Sequence, residues 1–147
     1  RFVREKVLTD ENFKNGYLLL LDIDDFKKVN DQYGHHVGDL VINHITSILR
    51  QLKIHNMVIA RWGGEEFLFM VPHATVQECQ MTCDAILNAC ENQKFMSQDG
   101  PLMVSVSIGA TLFEYFNLDT HISLLQRADQ SLYRAKANGK KQYVLQA

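Results

Sequence analysis

The hydrophobic pattern along the chain divides into short solid runs and longer stretches of helical spacing. Tyr17 to Leu21 is a continuous apolar run held between Gly16 and Asp22-Ile23-Asp24-Asp25, which predicts a buried central strand. Phe26 to Gln32 fits a short helix ending near Gly34. From Leu40, the residues Val41, Ile45, Ile48, Leu49 and Leu52 keep to one helix face for about three turns. Met57 to Trp62 and Phe67 to Val71 are apolar runs on either side of Gly63-Gly64, the pattern of a tight β-hairpin, and Pro72 stops the second arm. Val76 to about Phe95 predicts a second amphipathic helix, with Cys79, Cys83, Ile86, Leu87 and Cys90 on its buried face. Beyond Pro101, Met103 to Ile108 reads as a strand that continues past Gly109 through Phe113. A last helix from about Ile122 to Ala137 stops at Asn138-Gly139, and Tyr143-Val144-Leu145 supplies a closing strand.

Strand, helix, hairpin, helix, strand, helix, strand is the order of an α/β (α+β) sandwich of the ferredoxin-like kind, a central mainly antiparallel sheet flanked by helices. No internal repeat, low-complexity segment or linker interrupts it, so a single domain over residues 1–147 is expected. The chain opens on Arg1 and a short amphipathic segment through Leu8 without a start methionine. It is therefore expected to be cut from a longer protein, with an upstream region missing.

One position conflicts with this pattern. Glu65 and Glu66 stand at the root of an apolar strand, where buried carboxylates are costly unless a cation or hydrogen-bond donors meet them. Something positive should lie over the turn.

Composition narrows the partners. With 46% hydrophobic and 22% charged residues the chain is of ordinary globular balance, and a net charge of −2 gives no general attraction to nucleic acid or to an anionic membrane. No nucleic-acid partner and no membrane contact by this domain are expected. An anionic ligand would need local cations or a metal. No apolar run approaches the roughly 20 residues of a membrane span, and no signal peptide is visible. The three cysteines lack a fourth ligand, a Cys-x-x-Cys pair and a His at ligand spacing, so small core residues explain them better than zinc or redox chemistry. A reducing, cytoplasmic location is expected, for a parent protein that could itself be membrane-anchored.

In a sandwich of this kind the first strand and the hairpin lie side by side, which would bring Asp22 to Glu65. Carboxylates converging at strand ends suit Mg²⁺ or Mn²⁺, with the Ile23 carbonyl as a further ligand. The plain alternative is a solvated acidic loop. An EF-hand is excluded, because Phe26 and Lys27 stand where that loop needs an acid or amide and then glycine. Such Mg²⁺ sites complete their shell with substrate phosphates, which also need cations: Lys27 follows Asp22 closely enough to share the site, and near the other end of the chain Lys136, Lys140 and Lys141 cluster at and just past the last helix. The last three also read simply as a solvated helix end. Asn30 and Asp39 could match the Watson–Crick edge of guanine, whose neighbouring donors adenine lacks. A helix N-cap after Gly38 is the alternative for Asp39.

Taken together, these residues carry a family resemblance. The stretch Asp22-Ile23-Asp24-Asp25-Phe26-Lys27-Lys28-Val29-Asn30-Asp31 through Gly38-Asp39 resembles the first signature of the GGDEF family of bacterial diguanylate cyclases. Arg61-Trp62-Gly63-Gly64-Glu65-Glu66-Phe67 resembles the namesake motif in its GGEEF form. Ser105-Val106-Ser107-Ile108-Gly109 and the stretch from Ala128-Asp129 to Gly139-Lys140 resemble the two C-terminal signatures.

The resemblance implies a fold related to nucleotidyl cyclases and polymerase palms. It also implies condensation of two GTP into cyclic di-GMP with release of pyrophosphate. It assigns Asp22, the Ile23 carbonyl, Glu65 and, less specifically, Glu66 to Mg²⁺ or Mn²⁺, two ions per half-site, with Glu65 also helping to deprotonate the attacking ribose 3′-hydroxyl. Lys27, Lys136 and Lys140 would meet the phosphates, Asn30 and Asp39 would read guanine, and Gly63 and Gly64 would leave room for the triphosphate. Each half-site brings one GTP, so a transient two-fold homodimer is implied, driven by an upstream sensor or regulatory domain. The alternative is a GTP-binding regulatory module without catalysis. Two departures stand out: Ile54-His55-Asn56-Met57 replaces the Arg-x-x-Asp inhibitory motif, and Lys140 replaces the usual Arg. The first removes the expected basis for product inhibition. The second removes a bidentate phosphate contact.

Overall fold

The computed structural model describes residues 15–52, 58–61, 63–91, 94–98, 100–113 and 121–146. The expectations for Arg1 to Leu8, for Ile54 to Met57 and for Trp62 lie outside these residues. Seven strands and four helices are described: β1 (Gly16–Ile23), α1 (Phe26–Tyr33), α2 (His35–Gln51), β2 (Val58–Arg61), β3 (Glu66–Pro72), α3 (Val76–Glu91), β4 (Lys94–Ser97), β5 (Gly100–Met103), β6 (Val106–Phe113), α4 (His121–Ala137) and β7 (Tyr143–Gln146). Five strands form the main sheet in the order β2-β3-β1-β6-β7. All its pairings are antiparallel except β6 with β7.

β1 is the central strand, and its solid apolar run has a direct cause. Leu19, Leu21 and Ile23 face one core with Val41, Ile45 and Leu49 of α2 and Cys79, Cys83 and Ile86 of α3. Leu18 and Leu20 face the other core, with Leu124, Ala128 and Leu132 of α4. A strand covered on both faces has no polar side to alternate with. Each such side chain contributes about 1.5–3 kcal/mol on burial. The three cysteines are buried in the first of these cores. Burial pushes the Cys90 thiol up to about 12, and a hydrogen bond with Cys79 together with burial raises Cys83 further.

Four boundaries differ from the sequence expectation. α2 starts at His35, not near Leu40, because Gly34 (φ 91°) turns the chain directly from one helix into the next. Asp39 therefore lies inside α2, and the N-cap alternative for it falls. The two arms of the hairpin are joined by more than a two-residue turn: Arg61 pairs with Phe67, and the Gly63 N–H donates to the Glu66 carbonyl at 3.3 Å. Gly64 lacks the positive φ expected of it. α3 ends at Glu91, and Phe95 belongs to β4, which pairs with β5 as a separate two-stranded sheet. The strand expected from Met103 to Phe113 is accordingly two, broken at Val104-Ser105 between the two sheets.

Gly109 sets the distance between sheet and helix. A Cβ there would overlap the Ala128 carbonyl oxygen and the Leu132 amide nitrogen. The α4 backbone thus lies directly on β6, with Gly109 opposite Leu20 of β1. From this contact, one helical turn from Leu132 to Lys136 and two strand residues from Leu20 to Asp22 both cover roughly 6 Å. The close approach therefore delivers Lys136 to the end of β1.

Candidate active site

Asp22 lies directly opposite Glu66 on one side and Ser107 on the other. Lys136 donates to its Oδ2 at 2.8 Å. Asp22 Oδ1 is buried and has no hydrogen-bond partner among the described residues. Burial pushes the Asp22 carboxyl above the ordinary carboxylate range; Lys136 draws it back, and the charges of Glu65 and Asp24 push it up again. Glu66 is raised too, first by burial and then by Asp22, Asp129 and Glu65. Asp22, Glu65, Glu66 and Asp129 of α4 thus lie near one another at one end of the sheet, with Glu66, and not Glu65 as expected, directly across from Asp22.

This donor set fits a hard divalent cation. A buried anionic oxygen without a donor is a costly arrangement that such an ion relieves. Among the described residues no three His, Cys, Asp or Glu side chains converge into a ready-made metal cage. Mg²⁺ commonly relies on one or two carboxylates and completes its shell with substrate phosphates. Ile23 is in strand pairing with Val106 and its side chain is in the core, so only its carbonyl can contribute.

Little among the described residues crowds the Cβ positions of Gly63 and Gly64. A Cβ on Gly63 would come no nearer than 3.9 Å to the Glu66 Cβ, and one on Gly64 would meet nothing within 4 Å. No packing contact among the described residues requires glycine here, which leaves room for a ligand to approach the backbone.

Asn30 reaches the start of α2 one residue before Asp39. A Cβ on Gly38 would overlap the Asn30 side-chain oxygen and would stand 3.2 Å from the Phe26 ring, so α1 and α2 touch at this glycine. Asp39, the next residue, is exposed beside a half-buried Asn30. Lys27 is exposed in the first turn of α1. Lys140 is held on the Asp25 carboxylate instead of on Asp22, and this contact keeps Asp25 below its ordinary range.

Asp24, which has no role in the sequence reading, is the most heavily bonded acid of the site among the described residues. Ser107 Oγ donates to its Oδ1 at 2.6 Å, and Ser105 Oγ and the Lys141 N–H donate to Oδ2 at 2.8 and 3.2 Å. Lys136 Nζ stands 3.9 Å from Oδ1. Two hydroxyls at alternate positions of an otherwise apolar strand were the available signal. Their common acceptor, more than eighty residues earlier, was not legible.

Comparison with solved structures defines the class first. The fold is that of GGDEF domains: it matches the Pseudomonas aeruginosa diguanylate cyclase SiaD, solved with its activator SiaC, at a TM-score of 0.84 and 28% identity, over 99% of this chain and 55% of that one. It matches the GGDEF domain of DgcB from Caulobacter crescentus, solved with c-di-GMP, at a TM-score of 0.80 and 26% identity, over 98% of this chain and 84% of that one. The family model for the diguanylate cyclase GGDEF domain matches residues 4–142, and the chain belongs to that family. Diguanylate cyclase A of Treponema denticola is 33% identical over 128 residues, 87% of this chain but 34% of that relative. The chain thus spans about a third of the length of that curated relative. Among the described residues no helix is long and apolar enough to cross a membrane.

Proposed function

We propose that the chain is the catalytic domain of a diguanylate cyclase that joins two GTP molecules into cyclic di-GMP. The observation that carries this is the buried oxygen of Asp22, without a hydrogen-bond partner among the described residues, near Glu65 and Glu66 and the Gly63-Gly64 loop. In each of two equivalent steps the 3′-hydroxyl oxygen of one GTP attacks the α-phosphorus of the other. A phosphorus–oxygen bond forms, the α–β bridging bond breaks, and pyrophosphate leaves. Asp22, Glu65, the Ile23 carbonyl and Glu66 would hold Mg²⁺ or Mn²⁺, which when bound neutralises phosphate charge and acidifies the attacking hydroxyl.

The chain's own residues position the substrate. Lys27, Lys136 and Lys140 would bind the phosphates, and Lys136 already stands at the Asp22 carboxylate that would hold the cation. Asn30 and Asp39 read guanine, and Glu65 accepts the hydroxyl proton. Phosphoryl transfer asks for this placement and charge balance, not covalent chemistry. One chain holds one GTP, so two domains face each other in a two-fold pair. A single domain over the whole chain, acting in the cytoplasm under an upstream regulatory region, completes the proposal.

The choice of base is open to direct test. GTP with Mg²⁺ should raise the melting temperature of the purified chain, and ATP should not. Asp39→Ala should weaken GTP binding by about tenfold or more, because the guanine donors lose their carboxylate, with a change in melting temperature of no more than about 2 °C. Equal binding of ATP and GTP by the unmodified chain would refute base reading by Asp39 and Asn30.

A further inference from the structure

Ser105, Ser107 and Lys141 have no part in the catalytic assignments, yet all three converge on Asp24. Its side chain is 3% exposed, and both of its oxygens are engaged. Its own amide donates to the Ser105 carbonyl at 2.9 Å. The two acids of Asp22-Ile23-Asp24 are therefore treated in opposite ways: Asp22 keeps an oxygen without a donor, while Asp24 is bonded into the chain on both sides.

What Asp24 is bonded to matters more. Lys140 and Lys141 have φ of 65° and 54°, two consecutive side-chain-bearing residues in the left-handed region. Such a turn persists only where its surroundings hold it. Three contacts do so here. The Lys140 N–H closes on the Ala135 carbonyl at 3.0 Å, the Lys140 ammonium reaches Asp25, and the Lys141 N–H reaches Asp24. Lys136 lies within the same segment, between Asp22 and Asp24.

We propose that Asp24 is a positioning residue for the phosphate-binding lysines, fixing the turn after α4, and with it Lys136 and Lys140, against the end of β1 through Ser105, Ser107 and the Lys141 amide. The inference rests on the reading of this site as a GTP site. Asp24 does not touch the reacting atoms. Its contribution is to charge placement, so it should be felt by a triphosphate and not by a nucleoside.

Asp24→Asn keeps the size of the side chain but presents an amide NH₂ to donors, and Ser107→Ala removes only the 2.6 Å bond. Titration of the purified chain with GTP in EDTA and in Mg²⁺, and with guanosine, separates the roles. Asp24→Asn should raise the GTP dissociation constant by about tenfold or more with and without metal, and Ser107→Ala by about threefold. Guanosine affinity should stay within about twofold, because Asn30 and Asp39 sit on other elements. Amide hydrogen exchange over residues 138–142 should quicken by about tenfold in both variants.

Equal losses for GTP and guanosine would overturn the proposal. So would a GTP defect seen only with Mg²⁺ and absent in Ser107→Ala, which would make Asp24 a metal ligand. Unmodified chain that binds no GTP would overturn the GTP reading instead. Unchanged exchange over residues 138–142 would overturn the anchor whatever the nucleotide result.

Discussion

Asp22→Asn should reduce formation of cyclic di-GMP by about 10³-fold or more, the equivalent of about 4 kcal/mol of lost transition-state stabilisation, without lowering the melting temperature. Glu65→Gln should match it in activity. The first half follows from removing the anionic oxygen that has no partner among the described residues. The second half follows from the sign of the Asp22 titration. Its carboxyl is raised in the folded chain, first by burial, so the folded state holds this proton more tightly than the unfolded state does. The stabilisation is fully present below the ordinary carboxylate range and declines as pH rises through the folded value. At neutral pH the ionised group is a net burden, increased by Glu66 directly across the strand pair. An opposed like-charge pair carries up to about 1 kcal/mol, so a neutral Asn should raise the melting temperature by up to about 4 °C. Melting curves across the acid range should show a smaller decline with pH in Asp22→Asn than in the unmodified chain. A variant that unfolds more easily at neutral pH would show that the Lys136 ion pair outweighs burial.

The second large effect belongs to Gly109. An Ala methyl there would overlap backbone atoms of α4, which cannot swing aside as a flexible side chain can. Gly109→Ala should destabilise the fold by about 3 kcal/mol or more, at or beyond the upper end of ordinary overpacking. The displaced helix should also carry Lys136 away from Asp22 and weaken GTP binding. Gly64→Ala supplies the contrast. Its Cβ would meet nothing within 4 Å and its φ is not positive, so stability should change by less than about 0.5 kcal/mol. Activity should nevertheless fall, because the added methyl stands where the triphosphate approaches. Chemical denaturation and a turnover assay on both variants decide the matter. Equal stability losses would contradict the division of roles between the two glycines.

What could be read from sequence depended on how local the cause was. β1 and the end of α4 were legible because an unbroken apolar run and an Asn-Gly stop each reflect their immediate surroundings. The start of α2 was not. Gly38 looks like a helix breaker, yet it sits in the helix because the Asn30 side chain occupies the space its Cβ would need. β4 and β5 were missed because Gly100-Pro101 reads as a break. A proline is tolerated in a two-stranded sheet, where an edge needs no donor from it. At the site, Asp22 and the acids of the hairpin were legible as charges in apolar company. The anchoring of Asp24 was not, since it arises only when β1, β6 and the turn after α4 meet.

The most direct test of the account is the product formed from GTP. The purified chain, fused to a parallel dimeric coiled coil so that two domains face each other, is incubated with GTP and Mg²⁺ and the products are resolved by mass spectrometry. Cyclic di-GMP and pyrophosphate in a one-to-two ratio are the predicted result, with neither formed when Glu65→Gln is substituted. A folded, GTP-binding, forced dimer that makes no cyclic di-GMP with Mg²⁺ or Mn²⁺ would contradict the account and leave a GTP-binding regulatory module in its place.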